Sequence, residues 1–292
     1  MRILLAGAAG QVALSLVEAG RARGVDLVAL GRPDLDLTRE SDVVRVVADV
    51  KPDVVINAAA FTAVDLAESE PEAAHLLNAT AAGWLAREAA RVDAPILHVS
   101  TDYVFDGAKA SPYVETDPTN PLGAYGRSKL AGEEGIRASG CDHLIFRTSW
   151  VYAARGANFL RTILRLAAER EELRIVADQV GAPTWARLIA EATALALRQA
   201  LAERRHGRFE SGLFHLTCAG ETSWHGFASL IVASRGGLRV KTVTPIATAD
   251  YPTPAKRPAN SRLNTDAFRA RFGLALPDWR DCLPLCLEEI PQ

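Results

Sequence analysis

Apolar residues follow two rhythms along this chain. Across the first half, short runs of strand length alternate with longer stretches of helical period. Arg2–Ala6 is predicted to be a short buried strand, closed by the turn Gly7-Ala8-Ala9-Gly10 and followed by a helix through about Arg23. Asp26–Leu30 and Asp53–Asn57 read as further strands, and the alanine-rich stretch from about Pro71 to Val92 as one long helix. Pro95–Val99 and Asp142–Arg147 complete the series. Strands this apolar, separated by helices, imply a parallel sheet covered on both faces with right-handed crossovers. The expected fold is therefore α/β, a Rossmann-type doubly wound parallel sheet.

Beyond Trp150 the rhythm loosens. Helices are expected at about Asn158–Glu172 and Trp185–Arg204, and a strand near Leu213–Thr217. The proline-rich run Tyr251–Pro258 cannot be regular helix. Residues 1–150 are assigned to a nucleotide-binding unit whose sheet later segments complete, and residues 151–292 mainly to a smaller substrate-binding lobe.

Composition narrows the class. Of 292 residues 49% are apolar and 23% charged, and 33 basic side chains nearly balance 35 acidic ones, an ordinary globular profile. A formal charge of −2 argues against a mainly electrostatic partnership with nucleic acid or membrane. No apolar run reaches the length of a spanning helix. The N-terminus has one basic residue and a short apolar stretch, but its glycine turn fits a first strand better than a signal peptide. Cys141, Cys218, Cys282 and Cys286 lack metal-site spacing and read as buried thiols of a reducing, cytoplasmic compartment.

Three motifs carry candidate chemistry. Gly7 and Gly10, with Gln11 and Val12, lie between the first strand and the first helix, where glycines let the backbone approach a pyrophosphate. The pair alone fits an ordinary strand–helix turn equally well, and Ala13 stands where a third glycine is usual. After the second strand the chain has Leu30-Gly31-Arg32, with no carboxylate to bind a ribose 2′-hydroxyl. An arginine there favours NADPH, with NADH possible; the alternative for Arg32 is a solvated surface side chain. The third motif is Tyr125-Gly126-Arg127-Ser128-Lys129, which puts phenol and ammonium on one helical face. A neighbouring ammonium is expected to lower the phenol pKa and make it a usable proton donor. Thr101, in Ser100-Thr101-Asp102-Tyr103, ends the fourth strand, where its hydroxyl could bond a carbonyl oxygen or merely cap the strand.

With these residues in view, the chain resembles the extended short-chain dehydrogenase/reductase superfamily and, within it, the dTDP-4-dehydrorhamnose reductases. The resemblance rests on Gly7–Val12, Asn57–Pro71, Ser100–Gly107, Tyr125–Glu133, Phe146–Tyr152, Asp178–Thr184 and Tyr251–Thr265, and so spans nearly the whole chain. It implies that Tyr125 is the proton donor, Lys129 its partner and a ribose ligand, and Thr101 the group orienting the keto oxygen. It implies cofactor contacts from Gly7, Gly10, Gln11 and Val12 to pyrophosphate, from Asp36 and Leu37 to adenine, and from Ala60, Phe61, Thr62 and Val99 along the cofactor path. Thr101, Asp102 and Trp150 would touch the sugar. Some relatives bind magnesium through a carboxylate early in the first helix; Ser15 stands there here, so no metal is expected. The implied reaction is NADPH-dependent reduction of dTDP-4-dehydro-L-rhamnose to dTDP-L-rhamnose, a last step toward cell-surface polysaccharide such as lipopolysaccharide, by a monomer or homodimer.

Two other functions are compatible with such a chain. Related dehydratases carry Thr-Asp-Glu after the fourth strand because elimination needs an acid and a base; Tyr103 in the third place argues against them. Epimerases would favour an acidic residue after the second strand. A non-catalytic NADP-binding regulatory subunit also occurs in the family, and intact Thr101, Tyr125 and Lys129 argue against that reading.

Overall fold

The computed structural model describes residues 1–291. Its first half alternates strand and helix in chain order: β1 (Arg2–Ala6), α1 (Gln11–Ala22), β2 (Asp26–Leu30), α2 (Glu40–Val50), β3 (Val54–Asn57), α3 (Val64–Ser69), α4 (Pro71–His75), α5 (Ala81–Arg91), β4 (Ile96–Thr101), α6 (Ala124–Ala138) and β5 (His143–Thr148). After β5 come the short strand β6 (Val151–Tyr152), the helix α7 (Phe159–Glu169) with β7 (Glu172–Val176) behind it, then β8 (Val180–Gly181), β9 (Thr184–Trp185), α8 (Ala186–Arg204) and β10 (Gly212–His215). The remainder is β11 (Thr222–Ser223), α9 (Trp224–Ala233), β12 (Thr242–Ile246), α10 (Asp266–Phe272) and α11 (Trp279–Glu288).

One six-stranded sheet in the order β10-β5-β4-β3-β1-β2 organises the molecule, and every pairing in it is parallel. The strand period of two explains why both faces are covered. On β1, Ile3 and Leu5 join Leu16 of α1 and Ile189 and Leu197 of α8 in one cluster, while Leu4 and Ala6 join Val43, Leu85 and Ile136 in another. Helices α1 and α8 thus cover one face, and α2, α5 and α6 the other. A third cluster, with Tyr152, Leu160, Leu173, Phe227, Ile231, Trp279 and Leu283, packs the elements that follow β5.

Two elements differ from expectation for local reasons. The long helix from Pro71 is interrupted by a π turn, Leu76–Thr80, between α4 and α5. The helix expected to run to Glu172 stops at Glu169, where Arg170 becomes extended, and Glu172 opens β7. Charged residues with good helix propensity gave no warning there; β7 forms because β12 is available to pair with it.

The proline-rich run is irregular, as expected of its prolines, and it ties the two halves together. Ala259 and Ser261 bond Val180, Arg262 and Asn264 bond Tyr113, and Arg257 forms an ion pair with Asp65 at 2.8 Å. Gly107, at φ +74°, is closed over by Pro258: a Cβ on Gly107 would lie 2.6 Å from that ring.

Candidate active site

The carboxyl ends of β1, β3, β4 and β5 lie side by side, so the turns that leave them share one edge of the sheet. In open parallel sheets this edge is where ligands sit. Gly7 follows β1 at φ +94°, with its N–H bonded to the Leu30 carbonyl at 2.9 Å. A Cβ on Gly7 would lie 2.6 Å from the Ala59 backbone, so glycine is required for the approach of the β3 loop. Gly10 caps α1 with no side-chain partner, and no acidic residue occupies the first turn. An uncapped helix start beneath a bare backbone turn fits a pyrophosphate. Ala13 is fully buried in the helix–sheet contact, so alanine serves in the third position of the fingerprint. Val12 packs into the same cluster, and Gln11 accepts a hydrogen bond from Asn158 at 2.8 Å.

After β2, Arg32 makes no ion pair among the described residues, while its charge and that of Arg39 help hold the Asp36 carboxyl below its usual value. The larger cause is Thr38, whose hydroxyl and backbone N–H both donate to Asp36 Oδ1, at 2.7 and 3.0 Å. The Asp36 carboxylate is thus committed to its own turn, and the Leu37 side chain is buried in the core with Leu35 and Val43. Of the expected adenine contacts, both side chains therefore have structural duties that leave mainly their backbone for a ligand.

Ala60, Phe61 and Thr62 leave β3 in a loop clamped by Asn78, which sequence reasoning did not single out. Asn78 Oδ1 accepts from Phe61 N at 2.7 Å, and Nδ2 donates to Phe61 O at 3.2 Å and to Ser128 Oγ at 2.9 Å. Ser128 in turn donates to the Tyr125 carbonyl at 2.8 Å. One buried amide in the π turn therefore joins the loop after β3 to the helix carrying Tyr125 and Lys129. Its only sequence signal was a polar residue within an apolar helical run.

Thr101 and Asp102 are buried at the end of β4, and Thr101 Oγ1 donates to Asp102 Oδ1 at 3.0 Å. Burial pushes the Asp102 carboxyl up to about 6 against the opposing pull of the Ser261 and Thr101 hydroxyls. Tyr125, on α6, faces Tyr103 edge-on, with ring centroids 5.4 Å apart. Burial pushes the Tyr125 phenol up to about 12, Thr101 pulls it down, and Asp102 adds to the rise.

This differs from the expectation that Lys129 lowers the phenol. Lys129 is 1% exposed, and its ammonium donates to the Val99 carbonyl at 2.7 Å and meets His98 Nε2 at 3.0 Å. Burial brings Lys129 down to about 8, with Glu133 opposing, and holds His98 well below its usual value. The Val99 side chain, meanwhile, packs into the sheet core, so this position contributes its carbonyl to the site.

Trp150 leaves β5 at φ +47°, an uncommon conformation for a bulky residue. Its indole stacks on Trp224 at 3.6 Å and 9°. Gly181 lies so close that a Cβ there would fall 2.6 Å from the ring. Trp224 Nε1 donates to Gln179 Oε1 at 3.2 Å, which extends the aromatic wall into the second half of the chain.

A dinucleotide cradle and a Thr–Tyr–Lys group on one edge of a parallel sheet define a short-chain dehydrogenase/reductase. Comparison with known proteins narrows this further. Residues 1–291 match the family model described as the RmlD substrate binding domain, and the chain belongs to that family. It is 55% identical to a dTDP-4-dehydrorhamnose reductase of Burkholderia thailandensis over 99% of both chains. To the Escherichia coli K12 protein of the same name it is 46% identical over 99% of this chain and 98% of that one. Among solved structures, the dTDP-4-dehydrorhamnose reductase of Clostridium acetobutylicum superposes with a TM-score of 0.91 at 37% identity, covering 99% of each chain. That of Bacillus anthracis, in complex with NADP, gives 0.89 at 33% identity with the same coverage. A Thermotoga maritima UDP-glucose 4-epimerase shares the fold at 19% identity, with a TM-score of 0.81 over 99% of this chain and 98% of that one.

Proposed function

We propose that this chain is an NADPH-dependent dTDP-4-dehydrorhamnose reductase, acting in the cytoplasm to form dTDP-L-rhamnose. The observation that carries the reading is the gathering of Thr101, Tyr125 and Lys129 around the carboxyl end of β4, on the sheet edge where the Gly7–Gly10 cradle opens. Full-length similarity to reductases of that name supports the choice of substrate.

Gly7, Gly10 and the start of α1 would hold the pyrophosphate of NADPH and Arg32 its 2′-phosphate, and the cofactor when bound would supply the hydride that reduces C4 of the sugar. Thr101 turns its one hydroxyl proton from Asp102 to the keto oxygen and so orients the carbonyl. Tyr125 gives its proton to that oxygen as negative charge develops. A phenol held at about 12 retains its proton throughout the physiological range, so the donor is loaded before substrate arrives. Its proton transfer becomes favourable only as an alkoxide forms, which places the stabilisation in the transition state. An ammonium has three donors. His98 and Val99 engage two on Lys129, leaving one for the nicotinamide ribose. Asp102 and Trp150 border the sugar, the first through its carboxylate and the second as part of the aromatic wall it forms with Trp224.

The direct test is loss of reduced-nicotinamide absorbance with dTDP-4-dehydro-L-rhamnose, using NADPH and NADH in turn. Turnover with NADPH preferred is expected; cofactor binding without any turnover would favour the regulatory-subunit reading and overturn this one.

A further inference from the structure

Beneath the catalytic helix lies a buried polar cluster that the reaction as described does not use. The strand period explains its position. On β4, Ile96 faces the α6 side of the sheet, so His98 and Ser100 face it too; on β5, Ile145 and Arg147 share that face. Glu133 comes down from α6 to meet them. Its Oε1 accepts from Ser100 Oγ at 2.5 Å and from Arg147 Nε at 2.8 Å, and its Oε2 accepts from Arg147 Nη2 at 2.6 Å. Glu133 is 0% exposed and Arg147 2%. The guanidinium also stacks over Phe105, 5.0 Å from the ring centroid.

Such a pair is weak evidence for stability, because desolvating two charges offsets most of their attraction. Its placement points to another role. Tyr125, Lys129 and Glu133 are spaced by four and lie along one face of α6. The latter two are fixed from below, Lys129 by His98 and Glu133 by Ser100, from alternate residues of a single strand.

We propose that Glu133 is a positioning residue for the Tyr125–Lys129 pair: locked to Arg147 and Ser100, it fixes the phase of α6 on the sheet and sets a buried carboxylate one helical turn from the Lys129 ammonium. This rests on the reductase reading for its purpose, since a charged Lys129 is what a ribose hydroxyl would meet.

The other charged groups around α6 are placed differently. From β4, His98 is uncharged and accepts from Lys129. Past the end of β4, Asp102 and Tyr103 lie by Tyr125. From β5, Arg147 reaches Glu133. From α3, Glu68 bonds the Ala124 N–H at the start of α6. From α4, Glu72 and His75 border an open surface groove with Arg127. From α5, Glu88 pairs with Arg91. Glu133 is the carboxylate acting on Lys129, one helical turn away.

The test reads the charge of Lys129 directly in the full-length chain. Lys51, Lys109, Lys129, Lys241 and Lys256 are its lysines, so selective ¹³C labelling gives a sparse spectrum in which Lys129→Met identifies the signal. The wild-type midpoint is expected near pH 8. Glu133→Gln should lower it by roughly half a pH unit, less than a contacting charge would give, because Glu133 lies one helical turn away and is paired with Arg147. The alkaline limb of kcat/KM and of NADPH affinity should move with it. Should Glu133→Gln leave Arg147 too costly to bury, Glu133→Gln with Arg147→Met removes both charges; the midpoint then shifts less, because the lost guanidinium offsets part of the lost carboxylate, and kcat/KM should still fall as α6 loses its anchor. An unmoved midpoint in folded Glu133→Gln, or wild-type kcat/KM in the folded double variant, overturns the proposal. Absence of keto-sugar turnover by the wild type would instead overturn the reductase reading, leaving the titration to judge Glu133 by itself.

Discussion

Replacing Gly126 by alanine tests whether the catalytic helix sits where its glycines allow. Alanine is the better helix former by about 1 kcal/mol, so on an open turn the change would stabilise. Gly126 is buried against the turn that follows Thr101. A Cβ there would lie 2.9 Å from Pro121 Cβ, 3.1 Å from the Tyr103 carbonyl carbon and closer still to its oxygen. None of these atoms is the end of a flexible side chain, so helix and turn must separate by roughly 1 Å, at the upper end of the ~1–3 kcal/mol that overpacking costs. Set against the helix-propensity gain, the net loss is about 2 kcal/mol. That corresponds to a fall in Tm of roughly 2–6 °C. The separation also draws Tyr125 from the end of β4, where its ring meets Tyr103, and a misplacement of this size costs about 10²-fold in kcat. Thermal melting and steady-state kinetics on the same preparation measure both. Gly83→Ala is the control: Gly83 lies in α5, and a Cβ added there would meet nothing within 4 Å, so alanine should stabilise. A Gly126→Ala protein that melts no lower than wild type and keeps its kcat would refute the reasoning.

Three further outcomes follow from the site. Tyr125→Phe should lower kcat by about 10²–10⁴-fold while NADPH affinity, measured by fluorescence titration, stays near wild type. Arg32→Ala should weaken NADPH by several-fold to about tenfold and leave NADH nearly unchanged, since a partly exposed charged hydrogen bond is lost only with the 2′-phosphate; equal losses for both cofactors would remove the basis for the preference. Asp102 carries a raised pKa, so folding favours its protonated form: that contribution is full below the unfolded value near 3.8 and is lost as pH rises through about 6. Asp102→Asn should therefore raise Tm at neutral pH relative to wild type, reduce kcat/KM, and abolish any loss of activity on acidification through about pH 6; an unchanged pH dependence of Tm would refute the assignment.

The order of strands and helices through β5 was legible in the sequence because buried parallel strands and amphipathic helices impose periods that few residues violate. That Gly7, Gly10, Thr101, Tyr125 and Lys129 fall in the turn after β1, at the end of β4 and on one face of α6 was legible for a related reason: spacing within one turn or one helix is what a sequence records. The fit of Ala13 at the helix–sheet contact was likewise a matter of size at a known position.

What the sequence left open depends on distance in space. Asn78 is a lone polar residue until the π turn brings it between Phe61 and Ser128. Glu133, Arg147, Ser100 and His98 come from three elements, and only the stacking of α6 on β4 and β5 makes them a cluster. The partner of Lys129 escapes the sequence for the same reason: four-residue spacing brings the ammonium near the phenol, but a buried ammonium takes the acceptors that surround it, and these are a histidine and a carbonyl on the strand below. The sequence by itself determined the periods, the turns and the residue types able to do the chemistry. Tertiary structure decided which of those groups are buried and which polar neighbours each one meets, because desolvation and hydrogen bonding are set by packing between elements far apart in the chain.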